Sequence, residues 1–66
     1  MEYYTLNVNG LDVLKSNSHD TILNLYYECC MDKPKKNYFI LNAEKDIVTY
    51  NRNWSQEQIF EYFSSN

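Results

Sequence analysis

Glycine, proline, alanine, arginine and histidine each occur once in this 66-residue chain. A single glycine excludes the Gly-rich loops that cradle phosphates, and no G-x-x-x-x-G-K-[ST], H-E-x-x-H or G-x-S-x-G string is present. The two cysteines, Cys29 and Cys30, are adjacent and have one histidine, His19, to join them. That set falls short of the about four ligands of a zinc site, so no metal or other cofactor is expected. Neighbouring cysteines cannot close a long loop, which excludes a disulfide scaffold and points to reduced thiols and a cytoplasmic location. No apolar run approaches the roughly 20 residues of a membrane span. The opening MEYYTLNVNG lacks the basic segment and apolar stretch of a signal peptide.

Apolar residues make up 44% of the chain and aromatics 17%, seven of them Tyr, which excludes a disordered chain. Acidic residues exceed basic ones, 9 to 6, for a net charge of −3. A domain this small buries only about 60% of its unfolded surface. Burial and entropy then nearly cancel, so a partner or a second copy is expected to contribute. Residues with AT-rich codons (Phe, Tyr, Met, Ile, Asn, Lys) supply 30 of the 66. The nine Asn read as mutational bias in a low-GC bacterium, its phages or plasmids, or another AT-rich genome.

The pattern predicts a single α+β domain over 1–66, built as ββαββα from two halves, about 2–32 and 37–64, joined by a Lys/Pro linker. Asn9-Gly10 between two short apolar runs is a hairpin signal, predicting strands over 3–8 and 11–15. Ser18 is placed to cap a helix over 19–32, with Asp20 in its first turn and Pro34 beyond its end. Strands follow over 37–42 and 46–50, and Ser55-Gln56-Glu57-Gln58 is a capping box opening a helix to about 63. The halves match each other. YYTLN at 3–7 aligns with YFILN at 38–42 and Val13 with Val48, while SHDTILNLY at 18–26 aligns with SQEQIFEYF at 55–63. A duplicated ββα unit predicts a four-stranded antiparallel sheet with both helices packed on one face.

Period two then places Tyr4, Leu6, Val13, Phe39, Leu41 and Val48 in the core. Above them lie Ile22, Leu25, Tyr26 and Cys29 from the first helix and Ile59, Tyr62 and Phe63 from the second. Trp54 reads as core, stapled at the start of the last helix against Ile59. The opposite, open face carries Tyr3, Thr5, Leu14, Tyr38, Ile40, Ile47 and Thr49, which is too apolar for a wet surface. Leu23, Tyr27 and Cys30 form a second helix stripe. Such surplus points to a contact surface.

Catalysis is not expected. Cys29 or Cys30 with His19 is the only conceivable nucleophile and base, and about ten helical residues, roughly 15 Å, separate them. Lys33, Lys35 and Lys36 form the one basic cluster, against a negative net charge, so nucleic acid is an unlikely partner. A nucleic-acid module using this cluster and the sheet face is the alternative reading, and a structural homodimer is another. The chain's brevity, acidity, AT-rich coding and aromatic surplus resemble the small inhibitors that phages and mobile elements direct at host defence or nucleic-acid-processing proteins. The expectation is a non-enzymatic protein that binds a host target, or a second copy of itself, and acts by steric occlusion. Its candidate anchors are Tyr3, Leu14, Tyr38, Ile40 and Ile47, with Asp12, Glu44 and Asp46 facing a basic target.

Overall fold

The computed structural model describes residues 2–52 and 54–64; the side chain of Phe63, one expected core position, lies outside the described ones. The elements follow the expected order: β1 Tyr4–Val8, β2 Leu11–Ser16, α1 His19–Asp32, β3 Tyr38–Leu41, β4 Ile47–Tyr50 and α2 Gln56–Ser64. All strands join one antiparallel sheet in the order β2-β1-β3-β4, so the two hairpins meet through their first strands. The fold is α+β.

The local signals act where the sequence places them. Asn9 and Gly10 both take positive φ, 53° and 91°, as a two-residue hairpin turn requires. Ser18 caps α1, its hydroxyl accepting from the Thr21 N–H. At the other end the Lys33 N–H closes on the Cys29 carbonyl ahead of Pro34. At α2 the capping box is reciprocal. The Ser55 N–H donates to Gln58 Oε1 at 2.9 Å and the Gln58 N–H donates to Ser55 Oγ.

Four asparagines hold loops through their side chains, which corrects the reading of Asn as mutational bias alone. Asn7 Oδ1 accepts from the Gly10 N–H, and Asn9 Oδ1 accepts from the Asn37 N–H. Asn42 Oδ1 accepts from both Glu44 and Asp46 in the second turn. Asn51 accepts from the Tyr38 N–H and donates to the Lys36 carbonyl, tying the linker to β4. Short side chains that copy backbone hydrogen bonding suit such turns.

The helices do not share a face. α1 covers Leu6, Tyr38 and Ile40 with Ile22 and Tyr26, and Tyr4 and Val8 pack at the margin. Phe39 points to the opposite side, where its ring meets Tyr62 of α2 at 5.5 Å and Trp54 at 6.0 Å. β3 is therefore buried on both faces, from Tyr38 through Leu41. The expectation of both helices on one face is corrected accordingly. Tyr38 and Ile40, expected on an open face, are 2% and 0% exposed because α1 lies on them.

This placement also bears on the internal match. Two identical ββα units paired antiparallel through their first strands are related by a two-fold axis perpendicular to the sheet. That operation keeps both helices on one face. Here Leu6 lies opposite Ile40, which puts its sequence counterpart Leu41 on the other face. Tyr4 and Leu6 still face α1, while Phe39 faces α2, so each half keeps its own side toward its own helix. The hairpins keep further likenesses. Gly10 and Lys45 both have positive φ, and Val13 and Val48 are each the extra residue at a bulge. Those bulges expose both valines, 56% and 47%, so neither belongs to the core as expected.

Candidate functional site

The α2 side of the sheet carries an open groove of about 640 Å³. Its floor is polar on the first hairpin, with Asn7 and Asp12, and apolar on the second, with Leu41 and Ile47. Ile59 and Phe60 of α2 supply the far wall. The second hairpin is bridged to the first by Lys45, whose Nζ lies 3.1 Å from the Asp12 carboxylate. On its other oxygen Asp12 accepts from the Asn7 side-chain amide at 2.9 Å. The Asn7 hydrogen bond first, and then Lys45, hold the Asp12 carboxyl below its ordinary pKa, against a partial desolvation that raises it.

Phe60 stands at the rim, 73% exposed, between this groove and a second hollow lined by Gln56, Glu57 and Glu61. Asp46 borders the groove from the opposite side. The Lys45–Asp12 pair is the salt bridge among the described residues, so the carboxylates of Asp46, Glu57 and Glu61 have no cation of their own there. An apolar knob ringed by uncompensated negative charge results. The sequence reading passed over Phe60 because it lies beside, not on, the stripe Ile59, Tyr62 and Phe63. Being the apolar residue left off that stripe was the available signal.

The expected anchors divide into three groups. Asp12, Asp46 and Ile47 come together in the groove, and Glu44 is exposed in the turn that leads to it. Tyr3 and Leu14 are exposed, each 42%, away from the groove lining. Tyr38 and Ile40 are withdrawn as anchors because both are buried under α1, and Tyr38 spends its hydroxyl on the Lys33 carbonyl at 2.8 Å. That burial also removes Tyr38 as a platform for stacking bases. In the second helix stripe, Leu23 and Cys30 pack at the margin of the α1 core. Tyr27 is exposed, with its ring edge on Tyr26.

Nothing in the α1 region resembles an activated nucleophile. His19 packs its ring on Tyr4 at 4.8 Å. Burial pushes the Cys30 thiol above its ordinary value, against a hydrogen bond with Tyr26 that pulls it down. Reactive cysteines are shifted the other way. Lys33, Lys35 and Lys36 are exposed on the linker, whose Lys35 and Lys36 carbonyls accept from Arg52 and Asn51. Among the described residues no three His, Cys, Asp or Glu side chains come together as metal ligands, and no helix is long and apolar enough to cross a membrane. No protein-family model, curated protein or solved structure matches the chain.

Proposed function

We propose that the protein works without catalysis, by binding another protein through the α2 groove and covering a basic surface on it. The observation that carries this reading is Phe60, 73% exposed on α2 with Glu57 and Glu61 beside it and Asp46 across the groove. A ring exposed to this extent adds little to the stability of the monomer, and aromatic side chains are enriched at interfaces. Surrounding carboxylates favour a partner whose apolar pocket is bordered by Lys and Arg, and they speed the encounter. The proposed target class is a host defence or nucleic-acid-processing protein in the cytoplasm, because its substrate groove is basic. The phage or mobile-element origin belongs to the same proposal and rests on brevity, acidity and AT-rich coding.

Capture from a low-GC bacterial lysate with the wild-type chain and Phe60→Ala in parallel tests the reading. The expected result is a protein retained by the wild type, recovered at least about tenfold less on Phe60→Ala, and released as salt rises. A lysate that yields no partner, or a partner indifferent to both Phe60→Ala and Glu57→Lys, rejects it.

A further inference from the structure

β2 is an edge strand, so the backbone groups on its outer side have no ladder partner. Five of its six residues are exposed, with Leu11 at 72%. A lysine and a bulge commonly discourage pairing at such an edge, and β2 has both, Lys15 and the bulge at Val13. Their positions give the strand a second property. Asp12 lies opposite Asn7 and Lys15 opposite Thr5. Asn7 and Thr5 are two apart on β1, so Asp12 and Lys15 share a face although they are three positions apart. Leu11, Leu14 and Ser16, opposite Val8, Leu6 and Tyr4, share the other face. A regular strand would put Asp12 and Lys15 on opposite faces; the extra residue at the bulge brings them to the same one.

We propose that β2 pairs with β2 of a second copy of this chain, antiparallel about a two-fold axis between Val13 and Leu14. In that register Asp12 of each copy lies opposite Lys15 of the other, and Leu11 lies opposite Ser16. Like face then meets like face on both sides of the bulge. Opposite charges directly across a strand pair stabilise it, and the two-fold repeats each pair. Asp12 can take the second cation. Its oxygens each accept one bond, from Asn7 and Lys45, and a carboxylate offers about four acceptor sites. The same charges select the occupant, because an unrelated strand must place a carboxylate opposite Lys15 and a cation opposite Asp12. Phe60 and the α2 carboxylates lie outside this edge; Asp12 also lines the groove, whereas Lys15 does not, so Lys15→Asp separates the dimer from the target-binding reading.

Sedimentation of the full chain over a range of concentrations, with Asp12→Lys and Lys15→Asp variants, tests it. Each variant sets like charges opposite one another, whereas their mixture restores both complementary pairs. The expected results are a wild-type dimer, a dissociation constant at least about tenfold weaker for each variant alone, and a heterodimer on mixing. A wild type that stays monomeric throughout, or variants that dimerise as tightly as wild type, overturns the proposal. So does a mixture of folded variants that fails to associate. Should Asp12→Lys not fold, Lys15→Asp carries the test alone: its dimer must be weaker than wild type at low salt, with the difference shrinking as salt rises.

Discussion

Lys45 holds its backbone at φ 68° and its ammonium 3.1 Å from the carboxylate of Asp12, in the other hairpin. The left-handed backbone comes from the turn. The Asn42 carbonyl accepts from the Lys45 N–H, and the Asn42 N–H donates to the Asp46 carbonyl, which closes a three-residue loop whose last position favours glycine. A side chain there costs about 1–2 kcal/mol. An ion pair with both partners about half exposed returns roughly 0.2–1 kcal/mol. Lys45→Gly is therefore expected to match or exceed the wild type in stability. Lys45→Ala keeps the strain, loses the pair, and falls about 1 kcal/mol below Lys45→Gly. Urea unfolding of the three proteins checks the order.

Asp12 makes stability depend on acid pH. Its folded pKa is depressed, by the Asn7 amide first and by Lys45 next. The contribution is thus present above the unfolded value of about 3.9 and is lost as pH falls through the lower folded value. Solvent screening of the half-exposed carboxylate keeps it under about 1 kcal/mol. Asp12→Asn should lower stability at pH 6 and converge on the wild type near pH 2. Denaturant midpoints at the two pH values decide it; an unchanged gap would mean that the loss is not ionic.

Tyr26 sets the alkaline limit. Burial between α1 and the sheet, then the neighbouring Cys30, pushes its phenol up to about 12, and burial also raises Tyr38. A raised folded pKa means stability that is full below the unfolded value of about 10 and is lost as pH rises toward the folded one. Unfolding should begin above pH 10, read as loss of the helix signal. Tyr26→Phe is expected to move that onset upward, because the phenylalanine has no proton to lose.

The elements, caps and turn residues were legible because each rests on a short-range signal. Ser18, Asn9-Gly10 and the Ser55/Gln58 box all act within four residues. A four-stranded antiparallel sheet was legible from the repeated order; that β1 and β3 are the strands joining the hairpins was not. The face of the second helix was not. Alternation tells which residues of β3 share a side, but a strand reading Tyr-Phe-Ile-Leu is apolar on both, the mark of burial on both faces. Taking the internal match as a symmetry operator decided the matter wrongly, and it sent Tyr38 and Ile40 to the surface. The bulges were likewise invisible, since Val13 and Val48 read as strand interior and only the cross-strand register leaves them without partners. Of the acidic residues expected as anchors, Asp12 and Asp46 line the groove. Phe60 was missed because the helix stripe was filled without it.

With its helices on opposite faces, the molecule has two separate layers of packing that differ in depth. α1 has 14 residues and buries Ile22 and Tyr26 against β1 and β3. α2 has nine, and its described packing centres on the aromatic group of Phe39, Trp54 and Tyr62, with Trp54 and Tyr62 rings 5.2 Å apart. A short helix held by one cluster opens at lower free energy than the sheet beneath it. Amide exchange in α2 is expected to be faster than in α1 and to precede global unfolding. Phe39→Ala removes the centre of that cluster, a loss of about 3–5 kcal/mol for a buried ring. It should release α2 first, while the exchange pattern of α1 relative to β1 is retained. Were the helices packed together over one shared core, the same substitution would raise exchange in both alike. Hydrogen exchange on the single variant therefore tests the two-faced architecture directly.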